Sequence, residues 1–176
     1  MSEFRINAGV ATLRRYRSDD VDALQSIADD PGVAGMLRDI FPNPYTRNDA
    51  EEWITRATGG LQENSFAIET DGELAGGAGF EVFKNEARVT AEIGYWLGRR
   101  FWGRGIATAA VGALVPWVFD RNAEVIRLEA CIYHTNPASV RVLEKNGFIH
   151  EATLRRSITK NGQVLDQLVY VRFRDS

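Results

Sequence analysis

One short stretch of the chain combines residue types that could bind an anion: residues 98–108, "GRRFWGRGIAT". Gly103 and Gly105 form a Gly-x-Gly pair, which lets the backbone approach a ligand without a Cβ in the way. The first N–H groups of a following helix would point at the same place, with the positive end of the helix dipole behind them. Positive charge comes from Arg99, Arg100 and Arg104. The pattern predicts a cradle for a diphosphate or a 3′-phosphate.

Two other interpretations of this stretch compete with a phosphate cradle. A dinucleotide fingerprint requires Gly-x-Gly-x-x-Gly or Ala within a βαβ unit, but position 108 is Thr and antiparallel hairpins are expected before it. A glycine turn carrying solvated arginines is the simpler alternative, because motifs this short have a high false-positive risk. The residues of the stretch alone leave this second alternative open.

The elements that position this stretch follow from hydrophobic periodicity and turn signals. The predicted order is β-α-α-β-β-β-α-β-α-β-β, and the glycine stretch joins the fourth strand to the third helix. Residues 31–46 are broken by proline and glycine, which predicts a short helical turn or a loop. Pro116 lies inside the third helix and predicts a kink or an early end, because an interior proline loses a backbone hydrogen bond.

Composition and charge limit the class of protein. The chain has 176 residues, 44% hydrophobic and 26% charged, which suits one well-buried core, so we predict one domain over residues 1–176. A net charge of −3 without a long run of one sign favours neither nucleic acid nor a membrane surface. We predict a cytoplasmic protein, because no apolar run has the length of a signal peptide or a membrane span. One cysteine and two histidines predict no metal site.

Two motifs carry a more specific signal. Arg100-x-x-Gly103-x-Gly105 has the form Arg/Gln-x-x-Gly-x-Gly/Ala, and residues 136–148, "NPASVRVLEKNGF", begin with Asn and end with Lys-x-Gly-Phe. The first resembles the acetyl-coenzyme A loop of the GNAT N-acetyltransferase superfamily, and the second resembles a later helix of that superfamily. With "YTRNDAEEWI" and "EIGYWLG", they resemble the RimJ/RimL branch, the ribosomal-protein-alanine acetyltransferases. The resemblance covers nearly the whole chain.

The resemblance implies a fold and a reaction. The fold is a single-domain α/β (α+β) GNAT fold, with a mixed, mostly antiparallel, twisted sheet of about seven strands flanked by about four helices. The reaction is transfer of an acetyl group from acetyl-CoA to a primary amine, expected to be a protein or peptide N-terminal α-amine. A small-molecule amine as acceptor, or an inactive acyl-CoA-binding sensor module, are the alternatives. The last strands of such folds often meet a partner, which raises a homodimer as an expectation.

For the cofactor, the resemblance implies contacts from the fourth strand, the glycine stretch and the later helix. The strand end would pair with the amides of the pantetheine arm, and the helix start would hold the pyrophosphate. The residues so assigned are Tyr95, Trp96, Leu97, Arg100, Trp102, Gly103, Arg104, Gly105, Ile106, Ala107, Thr108 and Asn136. Core packing by Trp96 and Trp102, and helix capping by Asn136, are the competing interpretations.

Glu92 and Ser139 are the candidate catalytic residues. Glu92 lies on the strand before the glycine stretch and would accept the proton of the amine; an exposed residue or a cross-strand ion pair is its alternative. Many relatives in the superfamily use a tyrosine in the later helix as the acid, but that place is Leu143 here. The RimJ/RimL resemblance instead implies Ser139 as proton donor to the leaving thiolate, with solvation or capping as its alternative.

The acceptor side is less defined by the sequence. Phe41 and Tyr45 are predicted to form apolar walls there. An α-amine, with a pKa of about 7.8, loses its proton at much lower cost than a lysine near 10.4, so a weak, water-mediated base suffices for an N-terminus. Cys131 lies on a predicted strand with Glu129, and we interpret both as structural or cofactor-wall residues, because no base that would activate the thiol is evident.

Overall fold

The computed structural model describes residues 4–175, which form a mixed sheet with helices packed against it. The strands are β1 (Arg5–Asn7), β2 (Thr12–Arg14), β3 (Ser65–Thr70), β4 (Glu73–Val82), β5 (Thr90–Leu97), β6 (Arg127–Tyr133), β7 (Ile149–Lys160) and β8 (Gln163–Phe173). The α-helices are α1 (Val21–Ala28), α2 (Pro31–Ala34), α3 (Arg47–Thr58), α4 (Ile106–Arg121) and α5 (Pro137–Lys145).

The strand order across the sheet is β1-β2-β3-β4-β5-β6-β8-β7. All neighbours are antiparallel except β5 and β6, which are parallel and are connected through α4. The predicted mixed, mostly antiparallel α+β fold is therefore confirmed. The described residues contain one strand and one helix more than the predicted order. These are β1 and the four-residue α2, which lies in the segment predicted as a helical turn or loop.

The early end expected at Pro116 is wrong, because α4 continues to Arg121. A proline at this position cannot donate to the carbonyl of Gly112, four residues earlier. Both residues are exposed, so water can bind the carbonyl that lacks an intrahelical partner. Val111 and Leu114, on the other side of the helix, are fully buried. Burial of that face holds the helix in place across the proline.

Local sequence signals begin or end several elements. Thr46 caps α3: its N–H donates to Asp49 at 2.7 Å, and the Asp49 N–H donates to the Thr46 hydroxyl at 3.3 Å. The helix ends at Gly59. Between β7 and β8, Asn161 and Gly162 have φ angles of 49° and 75°, as a tight Asn-Gly hairpin turn requires. The Asn161-Gly162 turn sets the register of β8 against β7.

A buried ion-pair cluster joins the N-terminal strands to the segment before α1. The Arg14 side chain is 2% exposed and donates to both carboxylate oxygens of Asp20 at 2.7 Å and to Glu69 at 2.5 Å. Arg5 adds a contact to Glu69 at 2.9 Å. Because a guanidinium is planar and carries five donors, one arginine orients both carboxylates. The cluster thereby ties β2 and β3 to the start of α1.

Candidate active site

A cavity opens where the two central strands separate. Pairing between β5 and β6 extends over three positions, from Thr90 opposite Arg127 to Glu92 opposite Glu129, and ends there. The continuations of both strands line a cavity of about 1280 Å³, larger than the roughly 300–1000 Å³ of a typical small-molecule site. A strand that loses its neighbour exposes backbone N–H and C=O groups along that edge, where an extended ligand with amides can pair.

The glycine stretch lines the same cavity at the start of α4. Gly103 and Gly105 have φ angles of 73° and 77°, in the left-handed region that residues with a Cβ rarely adopt. Gly105 is the N-cap of α4, so the first helical N–H groups, beginning at Ile106, have no acceptor within the helix. A Cβ built on either glycine meets no atom within 4 Å. The approach to these N–H groups is therefore open, and the geometry fits a diphosphate.

The three arginines of the stretch are each paired with a carboxylate. The contacts are Arg99 with Asp30 at 2.9 Å, Arg100 with Glu73 at 2.8 Å, and Arg104 with Asp71 at 3.2 Å. Arg100 and Arg104 lie outside the cavity lining, so their contact with the cofactor stays a prediction. Because none of the three arginines is in the cavity lining, the backbone N–H groups are the anion-binding feature of the helix start that faces the cavity.

Aromatic side chains form another wall of the cavity. The Trp102 indole N–H donates to the Leu97 carbonyl at 2.8 Å, which ties the glycine stretch to the end of β5. Trp96 packs against Phe41 with ring centroids 5.3 Å apart, and both line the cavity, as Trp102 does. Tyr45 is buried beside Phe41, with centroids 5.0 Å apart, and lies outside the lining. Contact of Tyr45 with an acceptor therefore stays a prediction.

The start of α5 presents Ser139 to the cavity. Asn136, which also lines the cavity, caps the helix by accepting from the Ser139 backbone N–H at 3.1 Å. The Ser139 hydroxyl oxygen lies 2.7 Å from the Tyr95 hydroxyl oxygen. Burial raises the pKa of Tyr95 to about 12, so the phenol is protonated at neutral pH. The sequence assigned Tyr95 to the cofactor but did not reveal this hydroxyl pair.

Glu92 faces the cavity from the last paired position of β5. Its side chain is 18% exposed and forms an ion pair with Arg38, whose side chain is 59% exposed. Glu92 is therefore ion-paired, but its partner comes from a loop and not from a neighbouring strand, as the cross-strand alternative required. Cys131 lines the cavity nearby, and burial, followed by the charges of Glu92 and Glu129, raises the pKa of its thiol to about 11. A thiol that keeps its proton is a poor nucleophile, so this pKa supports the interpretation of Cys131 as a residue of the cavity wall.

One part of the site, which we term the 37–39 segment, could not be predicted from the sequence pattern. Its three consecutive residues bind three different strands. The Leu37 carbonyl accepts from the Tyr133 hydroxyl of β6 at 3.1 Å, Arg38 binds Glu92 of β5, and Asp39 binds Lys160 of β7 at 2.7 Å. Because proline and glycine break the periodicity of this region, nothing in its sequence pattern indicates which way these side chains point.

Two negative findings apply to residues 4–175. No group of three or more His, Cys, Asp or Glu side chains within that range is arranged to hold a metal ion. No helix in the same range combines the length and the apolar character needed to cross a membrane.

Comparison with known proteins agrees with the class that this fold and cavity indicate. Residues 11–149 match the acetyltransferase (GNAT) domain family. The chain belongs to the GNAT family and is an acetyl-CoA-dependent N-acetyltransferase. It is 32% identical over 163 residues to the uncharacterized N-acetyltransferase p20 of Bacillus licheniformis, with 90% of each chain covered.

Two other relatives are of the RimJ/RimL type that the motifs predicted. The chain is 34% identical over 111 residues to the ribosomal-protein-serine acetyltransferase of Escherichia coli, which covers 63% of this chain and 61% of that protein. The solved structure of Mycobacterium smegmatis RimJ in complex with CoA-disulfide is 28% identical, with a TM-score of 0.79 and coverage of 98% of this chain and 86% of that one.

Proposed function

We propose that this N-acetyltransferase acetylates the α-amine of a protein or peptide N-terminus by direct attack within a ternary complex. The observation that carries the proposal is that the glycine stretch, Glu92 and Ser139 all line one cavity. The N–H groups at the start of α4 would hold the phosphates of acetyl-CoA. The separated edges of β5 and β6 would pair with its pantetheine arm, which directs the acetyl group toward Glu92 and Ser139.

The cavity surroundings favour a peptide acceptor. Two apolar side chains of its lining are strongly exposed, Ile40 at 87% and Leu61 at 75%. Apolar surface at the edge of a cavity favours an acceptor that extends beyond the reacting amine. The Escherichia coli relative is named as a ribosomal-protein-serine acetyltransferase, which also favours a protein acceptor. An α-amine is mostly protonated near neutral pH but keeps a neutral fraction of roughly a quarter at pH 7.4, whereas that of a lysine is about a thousandth.

The proposed chemistry uses three side chains. The amine nitrogen attacks the thioester carbonyl carbon, the C–S bond breaks, and Glu92 receives the amine proton directly or through water. Ser139 donates its hydroxyl proton to the departing thiolate and takes up a proton from water, so that the CoA thiol and the serine hydroxyl are both neutral after the step. The Tyr95 hydroxyl donates to the Ser139 carbonyl oxygen at 3.2 Å and lies 2.7 Å from the Ser139 hydroxyl oxygen, toward which it would turn its proton as the serine gives up its own. Much of the rate acceleration then comes from holding the amine and the thioester together.

A titration followed by an activity assay tests this proposal. Calorimetry with acetyl-CoA measures binding, and free-thiol release is then measured with peptides that begin with Ser, Ala or Met. The matched controls are the same peptides with blocked N-termini, and small amines form a separate arm. We expect release from the free peptides alone. Thiol release with small amines alone would show that the acceptor is a small molecule and not a peptide. Binding of acetyl-CoA without thiol release from any acceptor would favour an inactive acyl-CoA-binding module.

A further inference from the structure

Arg38 occupies the carboxylate on which the proposed reaction depends. Its guanidinium is ion-paired with Glu92, and across residues 4–175 no other cation is paired with that side chain. An amine that enters the cavity near neutral pH is largely protonated and is attracted to the same carboxylate. Arg38 contacts one oxygen of this carboxylate, Oε1, so its guanidinium and the ammonium of the acceptor are attracted to the same single negative charge.

The other charges near Glu92 are already engaged. Glu129, opposite Glu92 across the strands, binds Arg127 at 2.8 Å. Arg127 also binds Glu151 at 2.7 Å, so two carboxylates hold that cation. Arg38 has one carboxylate partner among the described residues and a side chain that is 59% exposed. Because the Arg38 side chain is mostly exposed while Glu92 is mostly buried, Arg38 is the partner that can move into solvent when a ligand takes its place.

The backbone around Arg38 is fixed on both sides. The Leu37 carbonyl accepts from Tyr133, and the side chain of Asp39, 77% exposed, binds Lys160, which is 8% exposed. Arg38 can therefore leave Glu92 by changing its own side-chain rotamers while the 37–39 segment stays in place. Its guanidinium keeps its proton at every physiological pH, so it can occupy Glu92 but cannot transfer a proton to it.

We infer that Arg38 is a built-in competitor of the acceptor: it neutralises Glu92 in the absence of an amine and is displaced when the acceptor ammonium binds. The inference rests on the proposed function, because it takes Glu92 as the group that receives the amine. Arg38 thereby weakens acceptor binding and selects for acceptors whose cationic group reaches Glu92. It also keeps a carboxylate that is mostly buried from lacking a partner.

Arg38→Gln tests the inference, because it removes the charge and keeps a polar side chain. The readout is the Kd of an acceptor peptide for protein saturated with CoA, a complex that cannot react. We expect this Kd to fall about two- to fivefold, the size of effect of an exposed ion pair, and the peptide KM to fall with it. The affinity for acetyl-CoA should stay unchanged. Arg155→Gln, which removes one exposed arginine from β7, is the charge-matched control.

The outcomes separate the inference from the proposed function. Unchanged or weaker peptide binding by Arg38→Gln overturns the inference, and weaker binding would make Arg38 an acceptor-binding residue. Arg38→Met should also tighten binding; tightening by Gln alone would show a new hydrogen bond and refute competition by charge. Tighter peptide binding without thiol release by wild-type protein would refute acetyl transfer to that peptide while supporting the competition.

Discussion

Two arginine–carboxylate groups in this protein use the same chemistry in opposite ways. The side chain of Arg14 is 2% exposed and binds Asp20 and Glu69, whereas that of Arg38 is 59% exposed and binds Glu92 at the cavity. Removing one partner of a buried pair costs about 3–5 kcal/mol, because an uncompensated charge stays buried. An exposed pair contributes about 0–1 kcal/mol. Burial therefore decides whether such a pair fixes the fold or can be exchanged for a ligand.

The largest effect is expected at the buried cluster. Arg14→Met should lower the free energy of unfolding by about 3–5 kcal/mol, because Asp20 and Glu69 lose their shared partner. Urea unfolding monitored by tryptophan fluorescence measures this change. Arg38→Gln, the matched change at the cavity, should lower it by less, because the Arg38 side chain is 59% exposed and the cavity lets water reach Glu92. Equal losses in the two variants would contradict the contrast between the two groups.

At the Arg38–Glu92 pair, the main effect should be on the rate of turnover and not on the free energy of unfolding. Glu92→Gln should lower kcat about a hundredfold, because the amine loses its proton acceptor, with little change in the Kd of acetyl-CoA. Single-turnover kinetics at saturating peptide, with calorimetry for the cofactor, measures both quantities. An unchanged kcat in these conditions would remove Glu92 from the role of base.

A smaller effect on turnover is expected from the hydroxyl pair. Ser139→Ala should lower kcat about tenfold, which corresponds to about 1.4 kcal/mol, the contribution of one good hydrogen bond in the transition state. Tyr95→Phe should lower kcat by less, since it leaves the serine hydroxyl in place. Steady-state assays on the two variants and on the double variant separate their contributions. If Tyr95→Phe costs more than Ser139→Ala, the tyrosine is the direct proton donor.

The smallest effect is the pH dependence of the buried cluster. Burial raises the pKa of Glu69, but Arg14 and Arg5 lower it by more, so that it lies below the ordinary value of a glutamate. A lowered pKa in the folded state stabilises the protein above the pKa of the unfolded state, about 4.3, and this stabilisation is lost as pH falls further. Urea unfolding from pH 6 to pH 3 should show the loss. Glu69→Gln should show a shallower decline, and an equal slope in both proteins would contradict the prediction.

The glycine stretch was predictable from the sequence because its chemistry is local. Gly103 and Gly105 adopt positive φ angles that glycine tolerates best, and the helix that begins after them follows from its own apolar run. The order of the main strands was predictable for the same reason, since turns such as Asn161-Gly162 impose their geometry on a few neighbouring residues.

The parts that were missed depend on contacts between distant segments. Alternation predicted a strand through Arg14 but not its burial, which depends on carboxylates from two other elements. The contact between Arg38 and Glu92 joins an aperiodic loop to β5, and the Tyr95–Ser139 pair joins β5 to α5. Such contacts are set by how the elements pack, and hydrophobic periodicity does not encode them.

The short ladder between β5 and β6 also affects the stability of the folded enzyme. Three residue pairs connect five strands on one side of the sheet to three on the other. This short ladder forms a seam across the middle of the sheet. A donor bound in the gap would bridge that seam and stabilise the folded state in proportion to RT ln(1 + [L]/Kd). We therefore expect bound acetyl-CoA to raise the free energy of unfolding of the enzyme, in addition to supplying the acetyl group.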